Sequence, residues 1–172
     1  MAKRKILTES DPTLRMKSKP VTEITPRIRT LLEDMLETMH EADGVGLAGP
    51  QVGVLRRVIV VETEPGKPMM LINPVIVASD GEQEGSEGCL SLPGKSGCVR
   101  RPMTVTVSAL DIDGNEITVE GSELTARCLC HEIDHLDGIL YTDKALYMYV
   151  PEEDDEPEPR RSVRKHKFAR KD

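Results

Sequence analysis

Cys130-His131-Glu132-Ile133-Asp134-His135-Leu136-Asp137-Gly138 is the stretch from which both the fold and its chemistry can be read. On an α-helix, His131 and His135 stand four residues apart, so both imidazoles leave one face a turn from each other and can grip one metal ion. Glu132 projects from the edge of that face, close enough to exchange a proton with a water activated there without itself being a ligand. Leu129, Ile133 and Leu136 fall opposite the histidines, with Leu124 and Cys128 beside them. The charges Glu123, Arg127, Asp134 and Asp137 are confined to one narrow strip. A helix uncharged over most of its circumference belongs inside a domain. Ser122 is placed to cap its start and Gly138 to end it.

Working outward from this helix, Met103 to Leu110 alternates apolar with small polar residues, Asp113-Gly114 is a hairpin turn, and 115–120 returns. Residues 56–61 and 69–77 are also β-rich, split by Pro65-Gly66 and kinked at Asn73-Pro74. Short strands joined by tight turns imply antiparallel sheet. Near the amino end, Thr25-Pro26 is a helix start, and Ile28, Leu31, Leu32, Met35, Leu36 and Met39 recur at three and four through about residue 42. Its methionines read as core fillers. The expected class is therefore α+β: antiparallel β-strands packed around a central metal-binding helix, with an N-terminal amphipathic helix. A core is affordable in 172 residues that are 38% hydrophobic, and it is aliphatic, with no Trp and one Phe.

One domain is expected over residues 1–150. From Pro151 the composition changes: Glu152 to Glu158 are acidic or Pro, and Arg160 to Lys171 are mostly basic. Such a segment cannot bury enough apolar surface to offset its ordering entropy, so 151–172 reads as a flexible, solvated tail. It holds seven acidic and seven basic residues, which leaves the whole net charge of −7 on residues 1–150. A domain that acidic has no electrostatic footprint for phosphate backbones, which argues against DNA as a partner. No apolar run approaches a membrane span and no secretory pattern opens the chain, so a cytoplasmic protein is expected. Cys89, Cys98, Cys128 and Cys130 are too few and unevenly placed for a disulfide framework and read as thiols.

Two histidines need a third ligand. Cys128 shares their face, but three ligands from consecutive turns of one straight helix converge poorly on a tetrahedral centre. Cys130 points about a quarter-turn away. A downstream Glu, as in thermolysin-type proteases, is offered only from Glu152 onward. Cys89 lies between glycines in Gly85-Ser86-Glu87-Gly88-Cys89-Leu90-Ser91-Leu92-Pro93, a segment able to approach a buried helix closely. Spacing favours Cys89 and leaves the other thiols as alternatives. A thiolate with two imidazoles and one open position is a catalytic geometry for zinc or ferrous iron. The stretch Gly44–Gly53 has too many glycines for regular structure and lacks a phosphate-loop ending; alone, it reads equally as a structural turn or a binding loop.

Taken together, Gly44-Val45-Gly46-Leu47-Ala48-Gly49-Pro50-Gln51, Glu87-Gly88-Cys89-Leu90-Ser91 and His131-Glu132-Ile133-Asp134-His135 resemble, in order and spacing, the three signature motifs of the peptide deformylases. The resemblance runs from about residue 4 to 145, with Gly49 where Ala is commoner and Cys130 where Gln usually precedes the first His. It implies a metal-dependent hydrolase that removes the N-formyl group from the formylmethionine of newly made polypeptides and releases formate. It implies further that Cys89, His131 and His135 hold one divalent ion, Fe2+ foremost, with Zn2+, Ni2+ or Co2+ accepted. Glu132 would be general base then acid, and Gln51 with the Leu90 amide would face the oxyanion. Gly44, Val45 and Gly46 would border the substrate, with Leu124 and Cys128 in the methionine pocket. Nascent polypeptide N-termini are the implied partners, and the basic run Arg160–Lys171 makes the ribosome a further candidate contact. The competing readings are an endopeptidase built on the same helix, which lacks its usual third ligand, and a non-catalytic binding protein, against which Glu132, Gln51 and Cys89 argue.

Overall fold

The computed structural model describes residues 2–151, so the tail expected beyond Pro151 lies outside it. In chain order the regular elements are α1 (Pro26–Glu41), β1 (Gly46–Ala48), β2 (Val58–Val61), β3 (Met69–Asp80), β4 (Gln83–Cys89), β5 (Leu92–Arg101), β6 (Thr104–Leu110), β7 (Glu116–Ser122), α2 (Leu124–Leu136) and β8 (Ala145–Tyr149).

The four branched residues of β2 explain the layering. Successive side chains leave opposite faces of a strand. Val58 and Val60 join Leu31, Leu32, Met35 and Met39 of α1 in one buried cluster. Ile59 and Val61 join Ala126, Leu129, Ile133 and Leu136 of α2 in another. Both faces of this strand are covered, so it reads as a continuous apolar run rather than an alternation. β2 belongs to an antiparallel five-stranded sheet of order β1-β2-β3-β6-β7, and a second antiparallel sheet has the order β4-β5-β8. The two sheets meet α2 from different sides: its apolar face takes the five-stranded sheet, while Arg127 and His131 reach Val99 of β5 and Glu87 of β4. The α+β class and the central helix are as expected.

The helix starts show where local chemistry yields to tertiary context. α1 begins as expected, with Thr25 Oγ1 accepting from the Ile28 N–H at 3.3 Å and Pro26 at the first position. α2 does not: Ser122 is the last residue of β7, and Glu123, at φ +55°, turns the chain into the helix with no side-chain cap. The strand runs straight into the helix, and contacts from elsewhere replace the cap. The Glu123 N–H donates to the Met103 carbonyl at 2.9 Å, and the Glu123 carbonyl accepts from Gln83 Nε2 at 2.9 Å. At the other end Gly138 does terminate the helix, at φ +76°, where a Cβ would lie 2.5 Å from the Arg15 carbonyl oxygen.

Three segments depart from the sequence reading. Gly44–Gly53 is partly regular: β1 pairs with β2, Leu47 opposite Val60, and Gly49–Val52 forms a 3₁₀ turn. This backbone is buried, so its N–H and C=O groups must be paired, and a sheet edge does that where water cannot. The glycine-rich stretch around Cys89 is a β-hairpin, with Leu90 and Ser91 as its turn. β8 lies beyond the last strand anticipated. No helix among the described residues is long and apolar enough to cross a membrane.

Candidate metal centre

α2 carries His131 and His135 on one face, and the β4–β5 hairpin brings the end of β4 onto that face. Ligand atoms of Cys89, His131 and His135 lie within 4.8 Å of one another. Cys89 Sγ is 3.4 Å from His135 Nε2. Of the four thiols, Cys89 alone joins this group. Cys128 is held as a neutral thiol, its pKa raised to about 12 by burial and then by the Glu132 charge. Cys130 is buried in the aliphatic core, which raises it also. A soft sulfur with two imidazole nitrogens suits a borderline divalent cation.

The two histidines are held in different states. His131 Nδ1 donates to Glu87 Oε1 at 2.9 Å, which leaves Nε2 for the group it forms with Cys89 and His135. Burial pushes the His131 pKa down, but the Cys89 sulfur and the Glu87 carboxylate outweigh it and lift the value to about 10. These groups complement positive charge at the imidazole. Burial, followed by the like charge of His131, drives His135 well below 6.5 and keeps it in the neutral form that a ligand needs.

Glu87 is the hub of a buried network that the sequence reading did not assign. Its carboxylate also accepts from Arg101 Nε at 2.8 Å, Arg101 Nη2 at 2.9 Å and Arg127 Nη1 at 2.7 Å. Arg101 Nη1 continues to Asp134 Oδ2 at 2.8 Å. The expected charged strip of α2 is thus partly internal: Arg127 is buried, and Asp134 is tied to Arg101 and Lys144. Burial opposes ionisation of Glu87, yet the hydrogen bonds from Arg101 and His131 prevail and hold it down at about 2. Metal-ligating histidines commonly donate their second N–H to such a carboxylate, which fixes ring and tautomer.

Glu132 is buried, and its Oε1 has no hydrogen-bond partner. Burial, opposed by the charge of His131, raises its pKa to about 7. Room for its carboxylate depends on Gly46: a Cβ there would lie 2.5 Å from Glu132 Oε2. Gln51 is fixed at both ends. Its Oε1 accepts from the Ala48 N–H at 3.0 Å, and its Nε2 donates to Ser91 Oγ at 3.0 Å with Cys89 Sγ 3.5 Å away. Ser91 is therefore a second group missed by the sequence reading, although it stood inside a quoted motif.

Apart from His135, every residue singled out for the site lines one cavity of about 530 Å³. Gly44, Val45 and Gly46 meet there with Leu124 and Cys128, alongside Gln51, Cys89, Leu90, His131 and Glu132. Gly44 packs on the Leu90 side chain closely enough that a Cβ would lie 2.7 Å from Leu90 Cδ1. Leu124 is exposed and Cys128 buried, so the cavity runs from solvent to the helix.

Known proteins are similar to this chain over most of its length. The polypeptide deformylase family model matches residues 3–148. The peptide deformylase of Agathobacter rectalis is 57% identical over 144 residues, covering 84% of this chain and 90% of the relative. That of Acetivibrio thermocellus is 54% identical over 170 residues, covering 99% of this chain and 98% of the relative. The crystal structure of a peptide deformylase from Legionella pneumophila superposes with a TM-score of 0.81 at 46% identity, covering 83% of this chain and 86% of that one. The peptide deformylase from Thermotoga maritima does so with a TM-score of 0.82 at 35% identity, covering 86% and 100%. The chain belongs to the peptide deformylase family.

Proposed function

We propose that this deformylase is a metal-dependent hydrolase that removes the formyl group from the N-terminal formylmethionine of newly made polypeptides. The observation that carries this reading is the meeting of Cys89, His131 and His135 within 4.8 Å, beside a cavity lined by a buried Glu132. The three donors would hold one divalent ion, with Fe2+ assigned first and Zn2+, Ni2+ or Co2+ compatible with the same set. Bound there, such an ion supplies Lewis acidity, making water a nucleophile near neutral pH and polarising a carbonyl.

The chain's own groups supply the rest. A formamide is a stable amide: water must add to its carbon, and the C–N bond breaks only if the nitrogen departs as an amine. Glu132, unpaired and near neutrality, accepts a proton from the attacking water and returns it to that nitrogen, so that formate and a free amino terminus leave. As oxygen gains charge in the transition state, the Gln51 amide and the Leu90 N–H donate to it. Ser91 and Ala48 hold the Gln51 amide in place, so little reorganisation is needed at the moment of reaction. Gly44, Val45 and Gly46 border the peptide, and Leu124 and Cys128 contact the methionine side chain. Partners are nascent polypeptide N-termini, and the compartment we assign is the cytoplasm.

The test is formate release from a formyl-Met peptide under anaerobic conditions, beside casein cleavage. Formate without casein fragments is expected; casein cleavage alone would favour an endopeptidase. Gln51→Ala should lower kcat by about 10²–10³-fold, the usual result of removing one oxyanion donor, with metal content unchanged. Full activity in that variant would remove Gln51 from the mechanism.

A further inference from the structure

The charge of this chain is unevenly distributed. Residues 1–30 hold eight Lys and Arg against three Asp and Glu, in a chain of net charge −7. Eleven of the Lys and Arg in the described residues lie within 4.0 Å of a carboxylate. The five with no such partner among the described residues are Lys5, Lys17, Lys19, Arg27 and Arg56. They all belong to the amino-terminal segment and the approach to β2. Three of them, Lys19, Arg27 and Arg56, line a single groove of about 920 Å³, in which Glu23 is the only carboxylate among the described residues.

The groove has a definite build. Lys19 and Arg56 are bridged through their backbones, which sets their side chains next to each other. The first turn of α1, Thr25 to Ile28, lines the groove too and adds the positive end of a 16-residue helix. Between the cations the lining is Val21, Ile28, Leu31 and Val54, with no aromatic ring.

We propose that this groove binds the phosphate backbone of single-stranded RNA. Guanidinium and ammonium groups gathered at one concave site with no carboxylate within 4.0 Å among the described residues match phosphate oxygens. A groove, rather than a projecting helix or ribbon, suits a single strand rather than a duplex. Without aromatics there is no platform for base stacking, so the contact is independent of sequence and sensitive to salt. An acidic polypeptide fits less well. The edge it would extend is already used, because the Lys19 N–H donates to the Leu55 carbonyl at 3.1 Å and the Arg57 N–H to the Lys19 carbonyl at 3.0 Å. The net charge, which argues against nucleic acid, averages over this asymmetry. The cavity at Gly44 lies past the far end of α1, about 24 Å away at 1.5 Å per residue, so both sites can be filled at once. The inference does not rest on the assignment of the metal centre.

The test uses the full chain and a labelled oligo(U) 12-mer, followed by fluorescence anisotropy over a range of salt concentrations. Lys19→Glu/Arg27→Glu/Arg56→Glu should weaken binding at least tenfold and flatten the slope of log K against log salt by about 2, as expected for three lost phosphate contacts. Formate release from a short formyl-Met peptide should be unchanged, which separates loss of this groove from loss of the catalytic site. Absence of binding at low salt, or equal binding by the variant, would overturn the proposal. Competition by a polyglutamate peptide of equal charge as effective as by RNA would also overturn it, assigning the groove to an acidic polypeptide instead.

Discussion

Glu132→Ala should abolish formate release while the protein keeps its metal, whereas Cys89→Ala should lose both. The two side chains meet at the same site but do different work. Glu132 is not in the donor group; it sits beside it, buried, with Oε1 unpaired and its carboxylate against Gly46. Its removal takes away the group that moves a proton from water to amine, a loss of about 10⁴-fold at the upper end of general acid–base catalysis. Cys89 contributes the single sulfur of the donor set. Without it, two imidazoles from one helix are left, one tied to Glu87 and one driven neutral by burial. Metal analysis of the two purified variants, beside turnover, checks this directly. Equal metal content in both would contradict the division of roles.

The second large effect lies one shell out from the donors. Glu87→Ala leaves the buried Arg127 guanidinium without a carboxylate partner and the buried Arg101 with Asp134 alone. Breaking a buried pair by removing one partner typically costs about 3–5 kcal/mol. That is a large share of a domain stability of about 5–15 kcal/mol and corresponds to a fall of about 10 °C in Tm. The same group makes the wild type acid-sensitive. Its folded-state pKa, about 2, lies below the usual 4.5, so its stabilisation is present above about pH 4.5 and is lost as pH falls through about 2. With roughly 1.4 kcal/mol per pKa unit, about 3 kcal/mol is at stake. Glu87→Gln, which cannot ionise, should therefore show a flatter fall of Tm between pH 4.5 and 2 than the wild type. Thermal melts across that range read both variants. A Tm for Glu87→Ala within about 2 °C of wild type would mean that the network is not the strut the geometry describes.

What was legible in the sequence follows from which interactions are local. The stripe from Ile28 to Met39 and the Thr25-Pro26 start define α1 because cap and periodicity belong to the same few residues. The narrow charged strip on α2 announced a buried helix, and His131 with His135 announced a shared site. Spacing favours Cys89 among the four thiols but does not single it out; the β4–β5 hairpin places its sulfur 3.4 Å from His135 Nε2. What escaped were matters of tertiary pairing. Arg101 and Arg127 look like any charged residues until β5 and α2 close around Glu87, 14 and 40 positions away in the chain. Ser122 had the right chemistry for a cap but was claimed by β7. The glycines at 46 and 49 suggested irregular backbone. A Cβ at 46 would lie 2.5 Å from Glu132 Oε2 and one at 49 would lie 2.8 Å from the carbonyls of Arg56 and Val54, and the backbone between them is regular.

The central claim is that one divalent ion is held jointly by the Cys89 sulfur and by His131 and His135. X-ray absorption at the metal edge of the purified, anaerobically prepared protein tests it most directly. The expected spectrum, for a zinc-loaded sample, has one sulfur at about 2.3 Å and two imidazole nitrogens at about 2.0–2.1 Å, with a light-atom ligand completing the shell. The sulfur contribution should vanish in Cys89→Ser and persist in Cys128→Ser and Cys130→Ser. A metal shell without sulfur in the unaltered protein, or one whose sulfur survives loss of Cys89, would contradict the claim.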